Sequence, residues 1–242
     1  MISGFYAASS GMLTQNQNIN TIGNNIANAQ TTGYKKETLV TSTFGDHLEY
    51  NMSGDEVGSS NFGKTAAGTY TAFSQGIIED SDRTLDFAIN GSGFFTVDVG
   101  GAVALTRNGR FCVDENGYLT NEKGNRVQGQ AGDIFVGTAN FTVNSFGEIA
   151  VNGKQTDTMK IACPADVSGL VKIGDGLYIN AGEGTVPFTG MVLQNALEAS
   201  NVSMSDEMTS MIAGSRAFQS CSQIIRMLDQ IMQKSANELG KV

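Results

Sequence analysis

A chain of 242 residues can bury a real core without metal or disulfide, and its formal net charge of −9 excludes nucleic acid as the main partner, because phosphate binding needs clustered Lys and Arg. Charged residues make up 16% of the chain against roughly 25% in an average domain, so much of the surface is uncharged polar. Cys112, Cys163 and Cys221 form no CxxC and describe neither a zinc site nor a disulfide framework; they read as buried small hydrophobes.

From Met1 to about Ala29, Phe5, Met12, Ile19 and Ile26 recur every seven residues, with Met1, Ala8, Ile22 and Ala29 on the adjoining row, which predicts a helix with a coiled-coil-like seam. Gly11 and Gly23 each weaken that helix by about 1 kcal/mol relative to Ala, and Gly33 is expected to take the left-handed cap at its end. No Asp, Glu, Lys or Arg occurs from Met1 to Tyr34, and the face opposite the seam in Asn16 to Gln30 is almost wholly Asn, Gln and Thr. A face so free of charge reads as one covered by partners, since an unpaired charge at a contact costs several kcal/mol. Asn18, Asn25 and Asn28 are its candidate contact residues. The competing reading of the same composition is a disordered polar tail.

The stretch from about Lys35 to Thr71, rich in Gly, Ser and Thr, is expected to be a loop or partly extended linker. Beyond it the period changes to two. Asp86–Gly91, Gly93–Val97, Ala102–Thr106, Arg110–Val113, Tyr118–Thr120, Phe141–Val143 and Glu148–Val151 predict short strands, with Asn-Gly at 90–91, 108–109, 116–117 and 152–153 as hairpin turns. Gly182 to Thr189 returns the chain towards its last helix. There Leu197, Met204, Met211, Phe218, Ile225, Met232 and Leu239 stand seven apart, and Ser205, Asp206 and Glu207 mark the start of a long helix running to Leu239. The fold class is therefore α+β: a discontinuous terminal α-helical coiled-coil domain, 1–34 with 197–242, a linker over 35–71, and a central antiparallel β domain over 72–190. The two seams are expected to cover each other.

Residues of the right chemistry for catalysis are sparse. His47 is the single histidine, which excludes a triad or a histidine-rich metal site. Gly91-Ser-Gly93 has no following helix and is not a dinucleotide loop. Asp114 to Gly117 lacks the further ligands of a calcium loop and reads as a hairpin turn. Glu79, Asp80 and Asp82 read as a solvated acidic face. No catalytic residue, cofactor or metal ligand is assigned. Residues 1–15 have no basic region and no unbroken apolar run, and no segment reaches the roughly 18 apolar residues of a membrane span, so neither a cleaved signal peptide nor membrane insertion is expected.

Three long motifs then stand out in order. AASSGM at 7–12 with NNIANAQTTGYKK at 24–36, LDFAINGSGFFTV at 85–97 with LTRNGRFCVDENGYLTNEKGNRVQG at 105–129, and LQNALEASNVSMSDEMTSMIAGSRAFQSCSQII at 193–225 resemble the signatures of the bacterial flagellar rod and hook family of axial proteins. Within it the motifs look nearest the distal-rod subunit, while the short stretch from Gly45 to Ser74 suits its proximal-rod paralogue or a related basal-body protein. The resemblance implies a non-enzymatic subunit of the extracytoplasmic rod, exported without a cleaved signal. It implies that the terminal helices polymerise around an axial tube that transmits torque and passes exported subunits. The partners implied are copies of itself, other rod and hook proteins and the export apparatus. Phe5, Met12, Ile19, Ile22, Ile26, Met204, Met211, Phe218, Ile225, Met232 and Leu239, with the three Asn above, are then the expected assembly residues. Phe44 and Leu48, in a Phe-x-x-x-apolar pattern, are similar to the segment such subunits present to the export gate.

Overall fold

The uncharged N-terminal segment forms a helix of 26 residues, α1 (Ile2–Ala27), in the computed structural model, which describes residues 2–43, 47–50, 56–60, 63–137, 141–151, 153–182 and 184–239. The C-terminal seam forms α2 (Met204–Leu239), 36 residues long. Its cap is Ser203, two residues ahead of the expected Ser205: the Ser203 carbonyl accepts the Glu207 amide at 3.0 Å and its Oγ the Asp206 amide at 3.5 Å. Asp206 and Glu207 lie in the first turn, where the helix dipole favours negative charge. α1 ends earlier than expected. Gly33 is left-handed at φ 67° but lies beyond the turn that follows the helix, and its amide donates to the Glu198 carbonyl at 2.7 Å. It is a close-approach residue against the Arg107 backbone, where a side chain would collide, and not a helix cap.

The segment expected as a linker is pleated. β1 (Glu37–Thr43) pairs antiparallel with β4 (Lys64–Thr71), from Glu37 opposite Thr71 to Thr43 opposite Lys64, and β2 (His47–Tyr50) pairs with β3 (Glu56–Ser60). Its Thr-Leu-Val-Thr-Ser-Thr run has β-branched residues, which fit a pleated ribbon. The ribbon β1–β4 packs on the polar α1, so neither of its faces carries the apolar alternation by which a strand is recognised. α1, α2 and these strands form one compact unit; residues Asn28–Lys36 and Phe73–Val202 form a second.

The second unit contains β5 (Ile78–Asp80), β6 (Phe87–Asn90), β7 (Phe94–Val99), β8 (Ala102–Thr106), β9 (Phe111–Val113), β10 (Leu119–Asn121), β11 (Arg126–Val127), β12 (Phe141–Val143), β13 (Glu148–Val151), β14 (Lys154–Thr158), β15 (Ile161–Ala162), β16 (Leu170–Gly174), β17 (Leu177–Asn180), β18 (Met191–Gln194) and β19 (Ala196–Glu198). An antiparallel sheet runs in the order β16-β17-β8-β7-β11-β10-β9, with β15 also on β7; β12-β13-β14 form a second sheet, and β18 with β6 and β19 with β5 form pairs. All seven predicted strands are present. Both faces of β7 are buried: Phe95 and Val97 enter the main core with Phe87, Ile89, Phe111, Leu119 and Ile149, whereas Phe94 packs with Leu105 and Tyr178. Phe95 meets Phe111 edge to face at 5.2 Å.

Two of the Asn-Gly pairs do not close hairpins. Asn90-Gly91 leaves β6, whose partner is the distant β18, and Asn108-Gly109 separates β8 from β9, which are not neighbours. Asn108 instead uses its side chain, Oδ1 accepting Thr32 Oγ1 at 2.8 Å and the Arg110 amide at 3.0 Å. Asn116-Gly117 does lie in the β9–β10 hairpin, and Val151 opposite Lys154 leaves two residues between β13 and β14, Asn152 lying outside the described residues.

Candidate functional site

In the helical unit α1 and α2 run antiparallel, because Gly11 faces Cys221, Ile19 faces Gly214, and Gly23 faces Met211. Gly11 and Gly23, which weaken an isolated helix, are thus contact positions. A methyl group on Gly214 would come within 3.3 Å of Ile19 Cγ1. Of the expected seam residues, Ile22 is buried, Met12, Ile19, Ile26, Met211, Phe218 and Ile225 are half-buried, and Phe5, Met204 and Met232 are exposed. The Leu239 side chain, Phe44 and the Leu48 side chain lie outside the described residues.

The amide-rich face meets its own chain over much of its length. Thr14 Oγ1 donates to the carbonyls of Ser10 (2.9 Å) and Lys64 (3.2 Å), and Gln17, Asn20 and Thr21 line a shallow groove with Leu39 and Ala66. Asn25, expected to look outward, is 1% exposed. Its Nδ2 donates to the Glu37 carbonyl (2.8 Å) and to Glu207 Oε2 (3.1 Å), and its Oδ1 accepts the Glu37 amide (3.0 Å). That residue is spent inside the subunit, because a buried amide must find partners for both ends. Asn18 is half-buried, and Asn28 lies beyond the end of α1, in the second unit.

The chain passes between the two units after Ala27, Lys36, Ala72 and Val202. Inside the β-rich unit the segments beside those passages are tied together by an ion cluster that sequence reading missed. Glu198 is 1% exposed and takes Lys35 Nζ on Oε1 at 2.5 Å and Arg107 Nη1 on Oε2 at 3.0 Å. Lys35 also donates to the Ser74 carbonyl (2.7 Å), Arg107 Nη2 to the Gly91 carbonyl (2.8 Å), and the Gly76 amide to Glu198 Oε1 (2.9 Å). Asn201 adds a neutral clasp: Oδ1 accepts the Lys36 amide at 2.7 Å and Nδ2 donates to the Ser74 carbonyl at 3.1 Å. Burial holds the Lys35 ammonium below its ordinary pKa, and the hydrogen bond and charge of Glu198 oppose that shift; burial acts likewise on Arg107. Two cations share one carboxylate, and main-chain carbonyls supply the acceptors that a second carboxylate would have provided.

The remaining candidates have no chemistry to offer. Asp114 Oδ1 is occupied by the amides of Asn116 (2.9 Å) and Tyr118 (2.8 Å). Glu79, Asp80 and Asp82 are exposed at and beside β5. Among the described residues no group of three or more His, Cys, Asp or Glu could hold a metal, and no helix is long and apolar enough to cross a membrane.

Residues 5–35 match the family described as flagella basal body rod protein, 88–192 the flagellar hook protein FlgE/F/G D1 domain, and 193–239 the flagellar basal body rod FlgEFG protein C-terminal. The chain is 34% identical to the flagellar basal-body rod protein FlgG of Bacillus subtilis, over 98% of this chain and 99% of that one. It is 31% identical to FlgF of Caulobacter vibrioides over the whole of both, and 27% identical to the flagellar hook-basal body complex protein FlhO of Bacillus subtilis, again over the whole of both. These are structural proteins of the flagellum and not enzymes. An antiparallel helix pair built from the two termini, a β-rich body and full-length similarity agree: the chain belongs to the flagellar basal-body rod protein family.

Proposed function

We propose that this rod component is an axial subunit that polymerises helically through α1 and α2, as a coiled-coil layer around a channel. The resulting tube transmits torque from motor to hook and passes exported subunits. The observation that carries this reading is the apolar surface α2 has left over. Phe218, Cys221 and Ile225 are half-buried on its seam, yet Met208, Ile212, Ile224, Met227 and Ile231 are exposed, Ile212 by 56% and Ile231 by 50%. A helix with apolar residues beyond one stripe is one that meets more than one neighbour. Asn16, Gln17, Asn20 and Asn24 remain exposed on α1 and can hydrogen-bond to neighbouring copies or to channel water without desolvating a charge. The subunit reaches its place by export.

The test is electron microscopy of the purified, concentrated full chain together with basal bodies isolated from cells with and without it. Helical rods of the pure chain, and basal bodies whose rods are missing or truncated without it, are expected. Complete rods in its absence would overturn the reading.

A further inference from the structure

The nine residues Asn28–Lys36 belong to the β-rich unit, although the chain on both sides of them, up to Ala27 and from Glu37, belongs to the helical one. None of the nine lies in a helix or a strand, and neither hydrophobic cluster of the β-rich unit includes one of them. Tyr34 is their one buried apolar side chain, and the Lys172 ammonium lies over its ring at 5.0 Å. What holds the segment is polar: Thr32 on Asn108, the Gly33 amide on the Glu198 carbonyl, Lys35 on Glu198 and Ser74, and the Lys36 amide on Asn201. Asn28, Thr31, Thr32 and Tyr34 also border a cleft of about 300 Å³, so part of the segment adjoins open space.

The receiving side is largely complete without it. Glu198 keeps Arg107 Nη1 and the Gly76 amide, Asn201 keeps the Ser74 carbonyl, and Asn108 Oδ1 keeps the Arg110 amide. The charges point the same way. With the segment docked, two buried cations share one carboxylate; with Lys35 withdrawn to water, Arg107 and Glu198 remain as a matched pair. Burial pushes the Lys35 ammonium below its ordinary pKa more strongly than Glu198 raises it, so its charge opposes docking. A buried ion pair adds little net stability once desolvation is counted, and the main-chain groups of the segment can bond to water instead.

We propose that Asn28–Lys36 is a strap that docks on the finished β-rich unit and lets go of it as a local opening, without unfolding that unit. The link between Ala27 and Glu37 thus alternates between a fixed segment and a nine-residue tether. Gly33 is the fitted part of the docked state. Its φ of 67° is left-handed, and a Cβ there would stand 2.4 Å from the Arg107 carbonyl carbon and from the Asn108 nitrogen, so any side chain evicts the strap.

Native-state hydrogen exchange of the purified full chain tests this. The Gly33 and Lys36 amides should exchange at least about a hundredfold faster than those of Phe87 and Leu119, which are bonded within the β-rich core. The strap rates should also hardly change in low urea, because a local opening exposes little surface. Strap amides that share the rates and the urea dependence of the core amides would mean that the segment leaves only when the whole unit unfolds, and would overturn the proposal. Gly33→Ala provides the second arm. Trypsin should cut this variant after Lys35 or Lys36 roughly tenfold faster than wild type, while the β-rich unit keeps a cooperative thermal transition. An unchanged cleavage rate, or loss of that transition, would equally overturn the strap.

Discussion

Asn25 and Glu207, 182 residues apart in sequence, share a buried hydrogen bond of 3.1 Å that joins the end of α1 to the start of α2. The same amide group holds both main-chain polar groups of Glu37. Asn25→Ala should therefore remove all three of these hydrogen bonds, two to Glu37 and one to Glu207, destabilising the helical unit by about 2–4 kcal/mol. Asn25→Lys should cost at least as much, because the ammonium replaces a fully satisfied amide in the same space. Urea unfolding followed by helical circular dichroism checks this; wild-type stability in Asn25→Ala would mean that the bonds contribute nothing.

In the β-rich unit, Glu198→Gln would remove the single carboxylate between Lys35 and Arg107 and leave two buried cations facing each other. A loss of about 3–5 kcal/mol is expected. The double variant Glu198→Gln with Lys35→Met should recover part of it, since one of the unpaired charges is gone. A double variant no more stable than the single one would assign the loss to packing.

Lys35 also predicts a pH dependence. Burial lowers its native pKa from the ordinary 10.5, so across the interval between the two values the unfolded chain binds a proton that the native unit does not. The contribution of this residue to stability should rise with pH through that alkaline interval and be flat below it. Denaturation of wild type and Lys35→Met at neutral and alkaline pH isolates the effect, which is absent if their difference does not change.

On α2 the two kinds of apolar residue should behave differently. Phe218→Asp or Ile225→Asp puts a carboxylate into the contact with α1 and should unfold the helix pair, while the β-rich unit stays folded. Ile224→Asp and Ile231→Asp, at exposed positions, should leave the isolated subunit with its wild-type melting profile yet prevent incorporation into basal bodies. Normal incorporation of the second pair would remove that face from the assembly surface.

What could be read without coordinates followed from periodicity. The strands between Asp86 and Val151 alternate and are bounded by turn residues, and the two long helices repeat every seven. The β1–β4 ribbon was illegible because its packed face lies on a helix without charge, so polar residues occupy both sides. The Asn25 tie was misplaced because composition says that a face is covered and not by what. Lys35, Arg107 and Glu198 could not be connected at all: they come from three motifs, Lys35 and Glu198 standing 163 positions apart, and pattern analysis sees only neighbours.

The helical unit is assembled from the first and last elements of the chain, whereas the β-rich one is nearly continuous in sequence. Ordering α1 against α2 requires closing a loop of about the whole β-rich body, an entropic cost that falls if that body is already compact. The β-rich unit is therefore expected to fold ahead of the helix pair, and Asn25 meets the Glu207 carboxylate only once both helices are in place. Loss of the β-rich fold should therefore weaken helix pairing as well, because α1 and α2 would then have to close a long flexible loop to meet.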